Sequence, residues 1–478
     1  MIYAAASGLS AVLALVLTRL LWHMLSREDF GLWSLIDPIL LPAASLVLFG
    51  VENAIVKQLG IDGLSLRQVS GVLLAGTLPV TGACLLLIGI IAHSVFRLGW
   101  TDALLLTLAG EALLLMLQTA YRAAGQVGGF AALLLSRNLL YILLLVGLWA
   151  GRGMQTLPIN LAFYARGLCV ILVGLVALAC LRPLLRLNHR RYFDALRYGS
   201  PLLLASFIFA LNDSTDRWFL ADNAGVAAVG IYALHLKLAA ILAQAIVIPF
   251  GLWYPTERFR RLGVTGEGHR FFISTAAVLA VVCMYCSGLV WLARDLLLAW
   301  IAPGAAASPL ILGCCLAAVI SLALSQALNV GLLLPGHTFK NAICSLCAVV
   351  GTALAASVLV RLAGVDGAAI SRLFGAVVMT GVTAVLSQRV CRVAFPFIAM
   401  LIYFAASAGA LVAINLLLGQ GLAEPLAGGP HGLGALAVAI PAWTAVTAIF
   451  AALFLSRLWG TSHALRFRTA SQAENEVA

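Results

Sequence analysis

Runs of roughly 20 apolar residues, each long enough to cross about 30 Å of hydrocarbon, recur along the chain with short polar breaks between them. They fall near 3–25, 33–56, 69–96, 101–121, 126–150, 157–181, 200–220, 225–252, 271–293, 308–334, 341–361, 366–388, 395–418 and 433–456. The pattern predicts an all-α polytopic membrane protein of about 14 transmembrane helices. Connections are short, the longest being the basic stretches near 182–199 and 253–270 and the polar tail after Trp459. No extramembrane domain fits between the spans.

Composition agrees, because 63% hydrophobic residues, 10% charged residues and a mean hydropathy of +1.06 exclude a soluble globule. Lys and Arg are placed unevenly. With the N-terminus inside, the inward-facing segments hold 18 of them and the outward loops 6, and cytoplasmic loops are the ones that collect positive charge. Both termini are therefore expected in the cytoplasm. The same bias accounts for most of the net charge of +11, so no nucleic-acid partner is implied. The first span lacks a basic n-region and outruns a signal peptide's apolar core, so it reads as a retained helix. All ten cysteines lie in or beside apolar spans, and the pairs Cys283/Cys286 and Cys344/Cys347 lie within helices. They read as packing residues, and no metal site is expected.

The two halves of the chain repeat. Thr18-Arg19-Leu20 before Gly31-Leu32-Trp33 parallels Asp216-Arg217-Trp218 before Gly230-Ile231-Tyr232. Phe49-Gly50 precedes Lys57 as Phe250-Gly251 precedes Arg258, Gly125 corresponds to Gly336, and Arg166-Gly167-Leu168 corresponds to Arg372-Leu373-Phe374. Six spans per repeat is an even number, so the repeats are parallel, related by an axis along the membrane normal. The expected organisation is a first lobe over 1–181, a cytoplasmic basic linker over 182–199, a second lobe over 200–388, two appended helices over 389–457 and a cytoplasmic tail over 458–478. Within the linker, five arginines mix with Leu184, Leu185, Leu187, Tyr192, Phe193 and Leu196, as in an interfacial amphipathic helix.

Thr18-Arg19-Leu20-Leu21 through Arg27-Glu28-Asp29-Phe30-Gly31-Leu32-Trp33, then Leu196-Arg197-Tyr198-Gly199-Ser200-Pro201 leading to Asp216-Arg217-Trp218-Phe219-Leu220, and Leu362-Ala363-Gly364-Val365-Asp366-Gly367 carry a family resemblance. The chain resembles the polysaccharide (O-antigen) flippases of the multidrug/oligosaccharidyl-lipid/polysaccharide exporter superfamily. The resemblance implies a flippase, not an enzyme, that moves undecaprenyl-diphosphate-linked oligosaccharide to the periplasmic leaflet by alternating access. It also implies membrane lipids, a polysaccharide polymerase and a chain-length regulator as partners. A cation-coupled drug exporter of the same superfamily and a membrane glycan polymerase or ligase are the competing readings.

Charged residues inside the spans are few, and each needs a partner or a wet cavity, since an arginine at bilayer depth costs about 2.5–3.5 kcal/mol even on the lenient insertion scale. Arg19, Arg137, Arg166, Lys237 and Arg372 are the candidate lining of a cationic cavity, because guanidinium forks bind phosphate oxygens bidentately. Intramembrane pairing, for instance Glu111 with Arg137, is the alternative. No cofactor is indicated, and no nucleotide-binding loop of the Walker type is present, so uphill transport would need proton or sodium coupling. Asp37, Glu111, Asp213 and Asp216 are the candidate coupling acids, with helix-end capping as the alternative for Asp216-Arg217. His235 is expected to pack rather than titrate.

Overall fold

The computed structural model describes residues 2–60, 65–95, 101–182, 188–261, 267–332, 338–419 and 436–456. The tail over 458–478, the middle of the linker and Gly336 lie outside them. Every element among the described residues is helical. Twelve helices are long and apolar enough to cross a bilayer, and two facts raise the count to fourteen.

The first is that α14 (Thr338–Val390) is two helices, which meet at Gly364 with φ 54° and ψ −120°. The arms fold back on each other so closely that a Cβ at Gly367 would lie 1.9 Å from the Leu359 carbonyl oxygen, and one at Gly375 1.8 Å from Thr352 Oγ1. Only glycine allows both the positive φ and the approach. The second is α8 (His189–Ala224), long enough to span but carrying Asp213, Asp216 and Arg217 in its last third. These are the fourteen crossings anticipated from the apolar runs. The protein is a multi-pass membrane protein, and its outer surface shows it: Leu362, Ile398 and Leu417 are each more than 75% exposed, as lipid-facing side chains are.

The remaining crossings are α1 (Ile2–Met24), α2 (Arg27–Val47) with the short α3 (Glu52–Gly60), α4 (Leu66–Val95), α5 (Thr101–Ala123), α6 (Val127–Gly151) and α7 (Ile159–Leu181) in the first lobe. In the second they are α9 (Val226–Leu242) continued by α10 (Ile248–Arg261), α11 (Glu267–Leu292) and α13 (Pro309–Leu328), with the short α12 (Arg294–Ile301) before α13. After α14 come α15 (Phe397–Gly419) and α16 (Leu436–Ser456). The expected linker is not a separate helix along its described part: from His189 onward it is the first three turns of α8, started by the Asn188 side chain accepting the Arg191 N–H.

Helix breaks differ between the repeats. Phe49 (φ 54°) and Gly50 (φ 71°) interrupt the chain between α2 and α3. Their sequence counterparts Phe250 and Gly251 are helical. The second lobe places its irregularity earlier, as a π-helical turn at Ala243–Val247, where the Ile248 N–H reaches back five residues to the Ala243 carbonyl. Pro249 explains the position: it offers no N–H to the preceding turn and its ring crowds the carbonyl four residues back.

The lobes meet most closely at glycines. A Cβ at Gly31 would fall 2.0 Å from the Val226 carbonyl oxygen, and one at Gly199 2.2 Å from the Gly50 oxygen. Helix α2 and α9, and the turn between α2 and α3 and helix α8, are in backbone contact there because no side chain intervenes.

Candidate functional site

Charged residues converge from four helices of the first lobe and one of the second. Arg166 on α7 lays one edge of its guanidinium on Glu111 of α5, with Nε and NH2 at 3.0 and 2.8 Å from Oε1, and turns NH1 to Asp37 Oδ1 of α2 at 2.5 Å. Arg137 on α6 reaches the other oxygen of Glu111 at 3.4 Å. Lys237, the one member from the second lobe, donates to Asp37 Oδ2 at 2.9 Å and sits 5.1 Å from the Trp33 ring. Glu111 is buried, with 2% of its side chain exposed, whereas Arg137 and Lys237 are each 28% exposed. The acids of this cluster are paired, and two of its cations still reach open space.

That space is a cavity of about 500 Å³ lined by Asp37, Arg137, Arg166 and Lys237 at one end. From there its wall runs through Asn138, Thr119 and Gln118 to Arg122, Phe130 and Ser7, with Gln244 and Ile248 on the second lobe. Successive spans alternate in direction, so Ser7, Arg122 and Phe130 all belong to the face where α1 begins. Three cations against two carboxylates leave the cluster one positive charge in excess. Guanidinium and ammonium groups with that excess, opening on a cavity, can hold an anion.

The second lobe builds a similar arrangement around the matching arginine, but draws both of its acids from α8, the counterpart of α1. Arg372 on the second arm of α14 pairs with Asp213 through NH2 and with Asp216 Oδ2 through NH1 at 3.2 Å. Tyr232 donates to the same Asp216 oxygen at 2.5 Å. Asp216 is fully buried and Asp213 is 47% exposed. Capping does not describe Asp216-Arg217, because α8 continues for two further turns to Ala224.

Arg372, Asp213, Asp216 and Arg19 lie outside the cavity lining, and Glu111 lies behind it. Arg19 instead donates across the lobes to the Trp300 carbonyl at 2.7 Å, with its guanidinium 5.0 Å from the Trp300 ring. Its repeat counterpart Arg217 does the reverse, donating from the second lobe to the Ser34 carbonyl of the first at 2.7 Å. The two arginines form a reciprocal clasp on the face opposite the cavity's polar end.

His235 has a structural role. Its Nδ1 lies 3.0 Å from the Ile231 carbonyl and its Nε2 accepts the Ser308 N–H at 3.0 Å, which selects the neutral Nδ1–H tautomer. The ten cysteines are free thiols, and no group of three or more metal-ligating side chains occurs among the described residues. Sequence reading passed over Asn138, which donates to Ser10 at 2.9 Å, and over Gln118 and Gln244. The signal was available, since a carboxamide in an apolar span needs a partner or water.

No family model matches the chain, and no curated protein matches it. Solved structures do. One described as "Lipid II flippase MurJ, inward closed conformation" superposes with a TM-score of 0.70 over 95% of this chain and 99% of that chain, at 11% identity. A multidrug resistance MATE family transporter of the MOP superfamily matches at 0.52 in its outward-facing form (17% identity, 81% and 94% covered). Its inward-facing form also matches at 0.52 (15%, 79% and 94%). Both neighbours are named as transporters rather than enzymes, and the likeness is one of fold: this chain has the two-lobed, all-helical architecture of the MurJ and MATE proteins.

Proposed function

We propose that the protein is a flippase that carries a diphosphate-linked polyprenyl oligosaccharide from the cytoplasmic to the periplasmic leaflet of a bacterial inner membrane by alternating access. The observation that carries this reading is the cavity end formed by Arg137, Arg166 and Lys237, cationic in net charge and continuous with a polar wall that runs to Arg122. The diphosphate would meet the cations, and the sugar hydroxyls would meet Asn138, Gln118, Thr119 and Gln244. The orientation rests on the 18-to-6 bias of Lys and Arg, with both termini inside. In that orientation the polar end of the cavity faces the cytoplasm and the Arg19/Arg217 clasp faces the periplasm, which supports an inward-facing state. The two-lobed fold shared with a lipid II flippase supports the same class of cargo.

Export of cationic drugs fits less well, because the one carboxylate lining the cavity, Asp37, is already held by Arg166 and Lys237. Proton or sodium coupling through Asp213, Asp216, Asp37 or Glu111 is part of the proposal. The decisive experiment is reconstitution with a fluorescent polyprenyl-diphosphate oligosaccharide and a leaflet-specific quencher. Protein-dependent flipping is expected; accumulation of lipophilic cations without lipid flipping would assign the chain to drug export.

A further inference from the structure

Asp37 joins the two lobes at the cavity wall. One oxygen takes Arg166 NH1 from the first lobe, and the other takes Lys237 Nζ from the second. Glu111 differs, being buried and held by two arginines of its own lobe. Its bonds to Nε and NH2 commit one whole edge of the Arg166 fork. The edge left for any cargo is the one between NH1 and NH2, and Asp37 sits on it at NH1. Lys237, for its part, would still be held beside the Trp33 ring if the carboxylate left, by cation–π attraction. Asp37 itself has an opening to move into, its side chain being 20% exposed.

We propose that Asp37 is a built-in stand-in for the phosphate of the cargo. In the empty protein it neutralises Arg166 and Lys237 and ties α2 to α9. An entering diphosphate takes over both cations, Asp37 swings away, and the tie between the lobes is broken at the moment the cargo is bound. A carboxylate and a phosphate present similar pairs of oxygens to a cation fork, and the doubly charged group competes better. The π turn at Ala243–Val247, about two turns along from Lys237 and lining the same cavity through Gln244, gives α9 a place to flex; such turns concentrate at functional sites. The inference rests on the anionic-cargo reading above and adds to it how binding is coupled to lobe movement.

The test compares inorganic pyrophosphate, a polyprenyl diphosphate and the phosphate-free polyprenol as ligands of the purified protein. Asp37→Asn should bind both phosphate-bearing probes on the order of tenfold more tightly than wild type, as loss of one competing charge pair would give, while flipping slows. The polyprenol should show no gain. No tightening, or an equal gain for polyprenol, overturns the proposal and leaves Asp37 a structural counter-ion. A second measurement does not depend on the variant folding: in the wild type, pyrophosphate should raise hydrogen exchange where α2 meets α9. In Asp37→Asn/Lys237→Gln, which loses one charge of each sign, exchange there should already be raised and pyrophosphate should add nothing. Unchanged exchange in the liganded wild type overturns the tie. A wild type that binds neither phosphate probe defeats the anionic-cargo reading and this proposal with it, whereas binding without tightening defeats this proposal alone.

Discussion

Arg166 and Arg372 occupy matching places in the two lobes, and each gathers two carboxylates of its own lobe, Asp37 and Glu111 in the first case, Asp213 and Asp216 in the second. The repeat is therefore chemical as well as topological. It is not symmetric in exposure, since the first cluster lines a cavity and receives Lys237 from the other lobe, while Asp216 is sealed by Tyr232.

Arg166→Ala should destabilise the protein by about 3 kcal/mol, the low end for breaking a buried pair, because Arg137 remains on the second oxygen of Glu111. Adding Glu111→Gln should recover part of the loss by removing the orphaned charge. Thermal midpoints in detergent measure both. Arg166→Lys should fall between, keeping the charge but not the fork that reaches Asp37 and Glu111 together. Equal midpoints for the single and double variants would show that Glu111 does not depend on Arg166.

Gly367→Ala should lower the thermal midpoint more than Gly381→Ala on the same arm. A Cβ at residue 367 meets the Leu359 carbonyl at 1.9 Å, whereas one at residue 381 meets nothing within 4 Å. Forced overpacking typically costs about 1–3 kcal/mol. Comparable midpoints for the two variants would mean that the α14 hairpin opens without penalty.

The crossings were legible in the sequence because hydrocarbon imposes length and apolarity on each span separately. Even α8, with three charges in its last third, could be placed from its apolar flanks. The Gly364 hairpin was legible as two spans, although not its tightness, which depends on Gly367 and Gly375 meeting backbone and hydroxyl across the turn. The candidate site was legible as a set of residue types. Partnership was not: Glu111 could be matched with Arg137, but that Arg166 takes the larger share depends on how α5 and α7 cross, with Gly167 letting the Thr107 backbone approach to 2.8 Å of its Cβ position. Arg19 was grouped with the cavity because it is a cation in a span. Its real neighbour, Trp300, lies on the short helix α12 between two spans of the other lobe, and nothing local to Arg19 announces it.

Gln244→Cys should react with a membrane-impermeant maleimide in inside-out vesicles and not in right-side-out vesicles, measured against the native-cysteine background. Gln244 lines the cavity between the charged cluster and the face where α1 begins. The positive-inside bias predicts that this face is cytoplasmic. Labelling confined to the opposite vesicle orientation would invert the topology and place the Arg19/Arg217 clasp inside.

The energy coupling proposed above is best tested at Asp213, which is 47% exposed although its partner Arg372 is only 14% exposed. A carboxylate that is paired yet only partly covered can exchange its partner for a proton or a sodium ion at less cost than the sealed Asp216. Asn212 is engaged by Thr352 at 3.1 Å, and the Thr215 hydroxyl is turned to the Leu211 carbonyl, so neither is set to ligate an ion beside Asp213. Proton exchange at the carboxylate is therefore the expected mode. In proteoliposomes carrying a polyprenyl-diphosphate oligosaccharide, a proton gradient should accelerate flipping by the wild type and a sodium gradient should not. Asp213→Asn should flip at a rate indifferent to either gradient. Retention of the proton response in that variant would clear Asp213 and move the assignment to Asp37, the other exposed carboxylate of the paired clusters; acceleration by sodium alone would reject the proton mode.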